Sequence, residues 1–319
     1  MSSFVSLCLV VCFAVAALSC SAAVAAVETT WALLRVIGRT EELNRNYLAL
    51  FVLRTLPVSA PAAIVLFAML PSFMLFEPRQ TTERAEWWLI ALAICSLLAL
   101  TFVSVRIILL LLASWRTQRN WLRSASKLDI PATIPVYALD SPGALVAVVG
   151  LFFPRMFIGK LVLEALTPEE LQPAVAHECA HVRSLDNLKQ IVLRATRFSR
   201  TFARMDHALC NAAEISADNC AIMAGASPLD LGSAILKVAR MKTGPALLPI
   251  TASHLVPQVG TSALRVRIEH LEAALENGPT QQTSRYSRWF VVGAVLAAYA
   301  VTLPLFLTLC HKLTEVLVR

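Results

Sequence analysis

The sequence contains few charged residues. Asp, Glu, Lys and Arg make up only 15% of its 319 residues, whereas soluble domains usually carry about 25%. Hydrophobic residues reach 57%, and four apolar stretches meet the requirement of about 20 helical residues for crossing a bilayer. The stretches are Phe4–Val27, Thr55–Phe76, Trp87–Val105 and Trp289–Cys310. This composition excludes an ordinary soluble protein and predicts an α-helical membrane protein.

Three further absences narrow the possible functions and the reading of the first apolar stretch. The eight cysteines form no Cys-x-x-Cys pair, which argues against a structural zinc site built from thiolates. Basic residues do not cluster with interleaved aromatics, so the net charge of +7 predicts no direct nucleic-acid binding. No Lys or Arg precedes the first apolar stretch, and that stretch exceeds the short core of a signal peptide. A retained first span is therefore favoured, with a cleaved signal as the alternative.

The distribution of basic residues predicts the orientation. Most of them follow the first or third span or precede the fourth, and cytoplasmic loops are enriched in Lys and Arg. The N-terminus is therefore predicted outside, residues 106–288 in the cytoplasm and the tail outside. The predicted division is 1–105 for three spans with their loops, 106–288 for a cytoplasmic domain, 289–310 for the fourth span and 311–319 for a short external tail. The basic residues used are Arg35, Arg39, Arg45, Arg54, Arg106, Arg116, Arg119, Arg123, Lys127, Arg285 and Arg288.

The 106–288 segment has the pattern of a single α+β domain. Residues 106–128 continue span three as a basic amphipathic helix along the membrane surface. Alternating apolar residues and turn signals then predict short strands, at Ile134–Leu139, Leu145–Leu151 and Phe152–Ile158. Helical periodicity predicts four helices. The first begins at the capping signal of Thr167, and the others cover Leu188–His207, Leu209–Ala224 and Ala263–Glu276.

A His-Glu-x-x-His run lies on the first of these helices, which has a capping box at its start. Two histidines four residues apart, His177 and His181, lie on one helical face and can hold one metal ion. Glu178 lies about 100° around the helix from His177, where it can hold a water molecule and act as a general base. The motif on a membrane chain predicts a membrane-bound zinc peptidase.

Carboxylates further along the chain are candidates for completing the site. Hydrolytic zinc sites use three protein ligands, and Glu214, on a separate helix, is the predicted third. Asp218, one turn later, can accept the free ring N–H of a ligand histidine and so fix its orientation. Asp186, just beyond the first helix, is a second candidate for that role.

These residues lie in segments that resemble the BlaR/MecR-type integral-membrane zinc metallopeptidases of bacteria, a gluzincin-like family. The similarity rests on three segments: Leu166–Leu188 around the histidines, Glu214-Ile-Ser-Ala-Asp218, and Leu264–Leu271 as a closing helix. It implies a zincin-like metallopeptidase domain with a small sheet and active-site helices, a bound Zn²⁺, and a place in the inner membrane. The antibiotic receptors of this family carry a penicillin-binding sensor domain after their fourth span. Only His311–Arg319 follow here, so no β-lactam sensing is expected.

The leading hypothesis is a zinc endopeptidase that cleaves a cytoplasmic regulatory protein, such as a DNA-binding repressor, in a signalling pathway. A housekeeping membrane protease of the HtpX/Ste24 type is the alternative enzyme, since it shares the two histidines and the glutamate. A membrane transducer that uses the domain only as a scaffold is the alternative from another class. The presence of Glu178 argues against it, because a scaffold needs no general base. The substrate, activating signal and oligomeric state have no signature in the sequence.

Overall fold

The chain forms two compact units in a computed structural model. The model describes residues 2–40, 47–77, 85–140, 145–241, 253–254, 261–277, 308, 312 and 315. One unit comprises residues 1–104 and 282–319, and the other comprises residues 105–281. The functional division predicted from the sequence, with a peptidase domain at 106–288, stays a prediction.

The first unit is built from long apolar helices. They are α1 (Ser2–Ile37), α2 (Tyr47–Ile64), a π-helical turn at Val65–Met69, α3 (Leu70–Phe76) and the first half of α4 (Trp87–Ser124). Three continuous helical stretches in the described part of the chain, Phe4–Ile37, Tyr47–Phe76 and Trp87–Ser124, are long and apolar enough to cross a membrane. Each contains one predicted span, so these three are confirmed as candidate spans and support membrane association. The predicted span Trp289–Cys310 lies outside the described residues except for Thr308.

The second unit contains a five-stranded mixed sheet. Its strands are β1 (Ala125–Leu128), β2 (Val136–Leu139), β3 (Val146–Val149), β4 (Arg155–Gly159) and β5 (Ser253–His254), in the order β1-β2-β4-β3-β5. The β2 and β4 strands are parallel, and the other neighbours are antiparallel. The three predicted strands are confirmed with different bounds. Strands β2 and β3 are shorter than predicted, and β4 begins later and ends one residue later, since Phe152 to Pro154 lie in the β3–β4 turn.

The helix predicted over residues 106–128 is confirmed only as far as Ser124. Its last four predicted residues form β1 instead, where Ala125 pairs with Leu139 and Leu128 with Val136. Nothing in Ala-Ser-Lys-Leu favours a strand on its own, since it has no β-branched or aromatic residue. Pairing with β2, rather than local propensity, therefore determines this element.

Six helices follow the sheet strands β1–β4 in the described part of this unit. They are α5 (Lys160–Ala165), α6 (Pro168–Arg183), α7 (Asp186–Ala195), α8 (Arg200–Met223), α9 (Pro228–Met241) and α10 (Thr261–Asn277). The single helix predicted over residues 188–207 is wrong, because it breaks at 196–199. There Thr196 hydrogen-bonds back to the Val192 carbonyl, and the Ser199 hydroxyl accepts from the Phe202 amide to start α8. Helix α8 then runs unbroken through the boundary predicted at residues 207–209.

The start of α6 is fixed by the predicted capping box. The Thr167 side chain and the Glu170 carboxylate satisfy each other's backbone amides, and Pro168 occupies the first turn. Burial by itself raises the pKa of Glu170, but hydrogen bonds from Lys237, Ser233 and the Thr167 amide lower it to about 2. The ionised carboxylate therefore also joins α6 to α9, which supplies Lys237 and Ser233.

An apolar core holds the helices of the second unit against the sheet. Helix α6 packs against α8 and α9, and α10 packs against both α9 and α8. The core includes side chains from β2, β3 and β4 as well as from these helices: Val136, Val148, Met156, Ile158, Ala174, Val175, Ala221, Ile235 and Leu271. Helices α6, α8 and α10 each have an apolar face in or against this core, so the orientation of each of these helices about its axis is fixed.

Candidate metal centre

Helix α6 presents His177 and His181 side by side, as the four-residue spacing predicts. Their Nε2 atoms lie 3.2 Å apart, and their rings meet at an interplanar angle of 83°. Both side chains are buried. Two imidazoles therefore present their ring nitrogens to the same small volume.

Helix α8 brings the carboxylate of Glu214 to the same volume. One oxygen, Oε2, lies 3.4 Å from Nε2 of His177, and the other, Oε1, lies 3.6 Å from Nε2 of His181. These three residues form a group that could hold a metal ion within the described part of the chain. The structure thus brings together all three predicted ligands, although their role in metal binding stays a prediction.

The spacing of the donor atoms fits zinc. Tetrahedral zinc with bonds of about 2.0–2.1 Å has neighbouring donors about 3.3–3.4 Å apart. The two Nε2 atoms are 3.2 Å apart, and each has one of the two Glu214 oxygens near that spacing, Oε2 at 3.4 Å from His177 and Oε1 at 3.6 Å from His181. Two histidines and one carboxylate are also a donor set that catalytic zinc uses, with a fourth position left for water.

One aspartate carboxylate lies beside the Nδ1 atom of each histidine. The Nδ1 atom of His177 lies 2.8 Å from Oδ1 of Asp218, and Nδ1 of His181 lies 2.7 Å from Oδ2 of Asp186. When each Nδ1–H donates to its carboxylate, each Nε2 is left with a lone pair directed toward the other. Lone pairs at this distance repel unless a cation lies between them. The structure places Asp218 next to His177 and Asp186 next to His181, and their role in orienting the rings stays a prediction.

The electrostatics of the pocket also favour a cation. Burial lowers the pKa of His177, but the neighbouring Asp218 and Glu214 carboxylates raise it to about 9. The metal-free site therefore holds a proton at neutral pH, and a metal that binds there displaces it.

Arg267, which was not predicted from the sequence as a site residue, completes the charge balance of the site. This residue of α10 is only 3% exposed. Its Nε and Nη2 donate to the two oxygens of Asp218 at 2.8 and 2.7 Å, and Nη1 lies 2.9 Å from Oε2 of Glu214. Burial raises the pKa of both carboxyls, but Arg267, followed by the histidines, lowers each below its ordinary value. Only the similarity of Leu264–Leu271 to a family's closing helix indicated this segment, and it assigned no role to the arginine.

Arg267→Met is expected to destabilise the second unit by about 3–5 kcal/mol, because removing one partner leaves buried charges uncompensated. Thermal unfolding of the purified protein would measure the loss as a lower Tm. Arg265→Met is the matched control on the same helix. Its ion pair with Glu269 is exposed, and such pairs contribute about 0–1 kcal/mol. Equal Tm values for the two variants would contradict the structural role of Arg267.

Glu178 occupies the position that the motif predicts for a general base. It follows His177 on α6 and is fully buried. Its charge also contributes to keeping Arg267 protonated, after the larger contributions of Asp218 and Glu214. The carboxyl group of Glu178 is therefore next to His177 in the sequence and close enough to Arg267 to interact with it electrostatically.

Comparison with known proteins supports a metallopeptidase. Residues 113–254 match a family described as peptidase family M48. The matched segment contains both histidines, Glu178, Glu214 and both aspartates, and it ends before Arg267. No curated protein matches the chain. Together with the three apolar helices, the match indicates a membrane-associated protease of the metallopeptidase type.

Proposed function

We propose that the protein is an integral-membrane zinc endopeptidase that cleaves a regulatory protein on the cytoplasmic side of a bacterial inner membrane. The observation that carries this proposal is the convergence of His177, His181 and Glu214 beside Glu178. The BlaR/MecR resemblance suggests a DNA-binding repressor as the substrate. Retention of a buried glutamate next to the histidines supports the enzyme over a scaffold, since burying a carboxylate without a function is costly.

His177, His181 and Glu214 would hold the zinc. When bound, zinc lowers the pKa of a coordinated water and polarises the scissile carbonyl. Asp218 and Asp186 keep the imidazoles in the tautomer whose Nε2 can donate a lone pair. Arg267 keeps Glu214 and Asp218 ionised at neutral pH, so that neither ligand nor orienting group is lost to protonation.

Glu178 would move the proton of the reaction. Its carboxylate takes a proton from the attacking water as the water oxygen bonds to the peptide carbonyl carbon. The same carboxyl then gives that proton to the amide nitrogen as the C–N bond breaks, so it returns to its ionised state. One buried group can thus act as base and then as acid.

Removal of the metal tests the proposal. Dye-labelled casein, incubated with the full-length protein in detergent, is expected to be cleaved, and 1,10-phenanthroline to abolish cleavage until Zn²⁺ is restored. The isomer 1,7-phenanthroline, which cannot chelate, is the matched control for non-specific inhibition. Cleavage that survives 1,10-phenanthroline would contradict a metallopeptidase. A protein that carries zinc and cleaves nothing would favour the scaffold.

The proposed orientation has its own test. A reporter enzyme that is active only in the cytoplasm should be active when fused after Thr243 and inactive when fused after Arg319, because cytoplasmic segments carry the basic excess. A reporter active only in the periplasm should give the opposite pair of results. Reversal of both pairs would place the peptidase domain on the other side of the membrane.

A further inference from the structure

The turn between β3 and β4 exposes two adjacent phenylalanines. Phe152 is 80% exposed and Phe153 is 78% exposed, which puts them among the most exposed large apolar side chains in the described part of the chain. Each aromatic ring can bury about 150–250 Å², so the pair offers a substantial apolar surface. Isolated exposed apolar residues are common, but two neighbouring rings at the tip of a turn are a candidate interaction surface.

The turn is held in place from two sides. The side-chain amide of Gln118 on α4 donates to the carbonyls of Val149 and Phe153 at 2.9 and 2.7 Å. Asn187 on α7 donates to the carbonyls of Val148 and Gly150, each at 3.3 Å. Four hydrogen bonds thus fix the base of the turn, and they bond backbone carbonyls rather than the phenylalanine rings.

Gly150 permits this close attachment. Its φ of +108° is unfavourable for other residues, and a Cβ there would lie 2.5 Å from the Gln118 amide nitrogen. The backbone conformation that presents Phe152 and Phe153 therefore depends on a glycine at this position. The backbone that carries the aromatic pair is therefore held in a defined conformation.

The surface of helix α4 changes from apolar to basic close to the residue that holds the turn. The exposed surface of α4 is apolar as far as Trp115, and from Arg116 onward it includes arginines. A change from aliphatic residues to tryptophan and then arginine is typical of a helix segment at a membrane–water interface. Gln118 lies three residues beyond Trp115, about 4.5 Å along the axis. The exposed aliphatic residues are Ile108, Leu109 and Leu112, and the arginines are Arg116, Arg119 and Arg123.

We propose that the aromatic turn, residues Leu151–Phe153, inserts into the interfacial layer of an anionic lipid bilayer. The two rings would enter the boundary between headgroups and acyl chains, as the apolar faces of interfacial segments do. Arg116, Arg119 and Arg123 on α4 supply the complementary charge for anionic headgroups. Continuity with the exposed apolar face of α4 favours lipid over a soluble protein as the occupant of this surface.

This insertion would fix the height of the candidate active site above the membrane. Asn187, which holds the turn, directly follows Asp186, whose carboxylate orients His181. The turn is thus linked to His181 through the adjacent residues Asp186 and Asn187 at the start of α7. Polypeptides close to the membrane surface would be the accessible substrates. The lipid contact itself does not depend on peptidase activity.

Cysteine labelling in lipid nanodiscs tests the proposal. Full-length Phe152→Cys and Phe153→Cys proteins, one copy per disc of phosphatidylcholine and phosphatidylglycerol, are treated with a membrane-impermeant maleimide. Peptide mass spectrometry gives the labelling rate at each site separately from the native cysteines. Each rate is divided by the rate for the same site in the unfolded protein. Insertion should slow labelling at positions 152 and 153 by about tenfold or more relative to an exposed site, because the reagent does not enter the bilayer.

Glu164→Cys is the matched control. Glu164 is exposed on α5, which follows the end of β4 opposite to the turn. Equal normalised labelling rates at positions 152, 153 and 164 in the discs would overturn the proposal. Protection of positions 152 and 153 that appears only with several copies per disc, or only with an added polypeptide substrate, would also overturn it, because a protein and not lipid would then cover the turn. Equal protection in discs of phosphatidylcholine alone would overturn the role of anionic headgroups.

Discussion

Glu178→Gln is expected to lower proteolysis by about 10²–10⁴-fold, the usual contribution of a general base. Glutamine has nearly the same shape and can still hydrogen-bond water, but it cannot accept the proton that the attacking water must lose. The rate of casein cleavage by purified full-length protein is the direct measurement. Because Glu178 is fully buried, zinc content and Tm must be measured alongside the rate.

Glu169→Gln is the matched control for this substitution. Glu169 is an exposed carboxylate on the same helix, so its amide variant should cleave casein at the wild-type rate. Wild-type cleavage by Glu178→Gln with zinc bound would exclude Glu178 from proton transfer. Lost cleavage together with lost zinc or a much lower Tm would assign it a structural role instead.

The same variant can identify the substrate. A peptidase that binds but cannot cleave holds its substrate longer, because the groups that bind the polypeptide are unchanged. If the proposed repressor is the substrate, it should co-purify with Glu178→Gln and accumulate uncut in cells. A signalling phenotype that survives the substitution would favour the scaffold over the enzyme.

The central part of the site was predictable because its geometry is local. His177 and His181 lie on one helix at a spacing that forces their side chains together, and the capping box fixes where that helix begins. The Glu214–Asp218 pair has the same four-residue spacing on a second helix. The sequence therefore indicated one polar face on each of two helices, and packing of these helices against each other brings the two faces together.

The parts that sequence analysis missed depend on long-range contacts. Arg267 meets Asp218 across 49 residues, and in the sequence it is one of two arginines on its helix. The β1 strand at Ala125–Leu128 depends on its pairing with β2, as its composition is neutral. The break before α8 also involves a long-range contact, because Arg106 donates a hydrogen bond to the carbonyl of Arg197 in that break. Local propensity contains none of this information.

Loss of zinc is the largest effect expected from substitutions at the site. Wild-type protein should contain about one zinc per chain, while His177→Ala, His181→Ala and Glu214→Ala should each purify nearly free of metal. Each variant leaves two of three donors, and the Glu214 variant also leaves a positive Arg267 beside the histidines. Elemental analysis of the purified proteins measures this independently of activity. His207→Ala, an exposed histidine on the same helix as Glu214, is the control and should retain its zinc.

Asp186→Asn separates the ligands from the groups that orient them. It keeps all three donors, so zinc should still bind, but an amide holds His181 less strongly than a carboxylate does. Losses of about 10–100-fold in affinity are typical for such partners, and competition with a chromogenic chelator would measure the change. Full zinc occupancy in Glu214→Ala would show that the third ligand lies elsewhere. Asp218 and Asp186 would then be the next carboxylates to test.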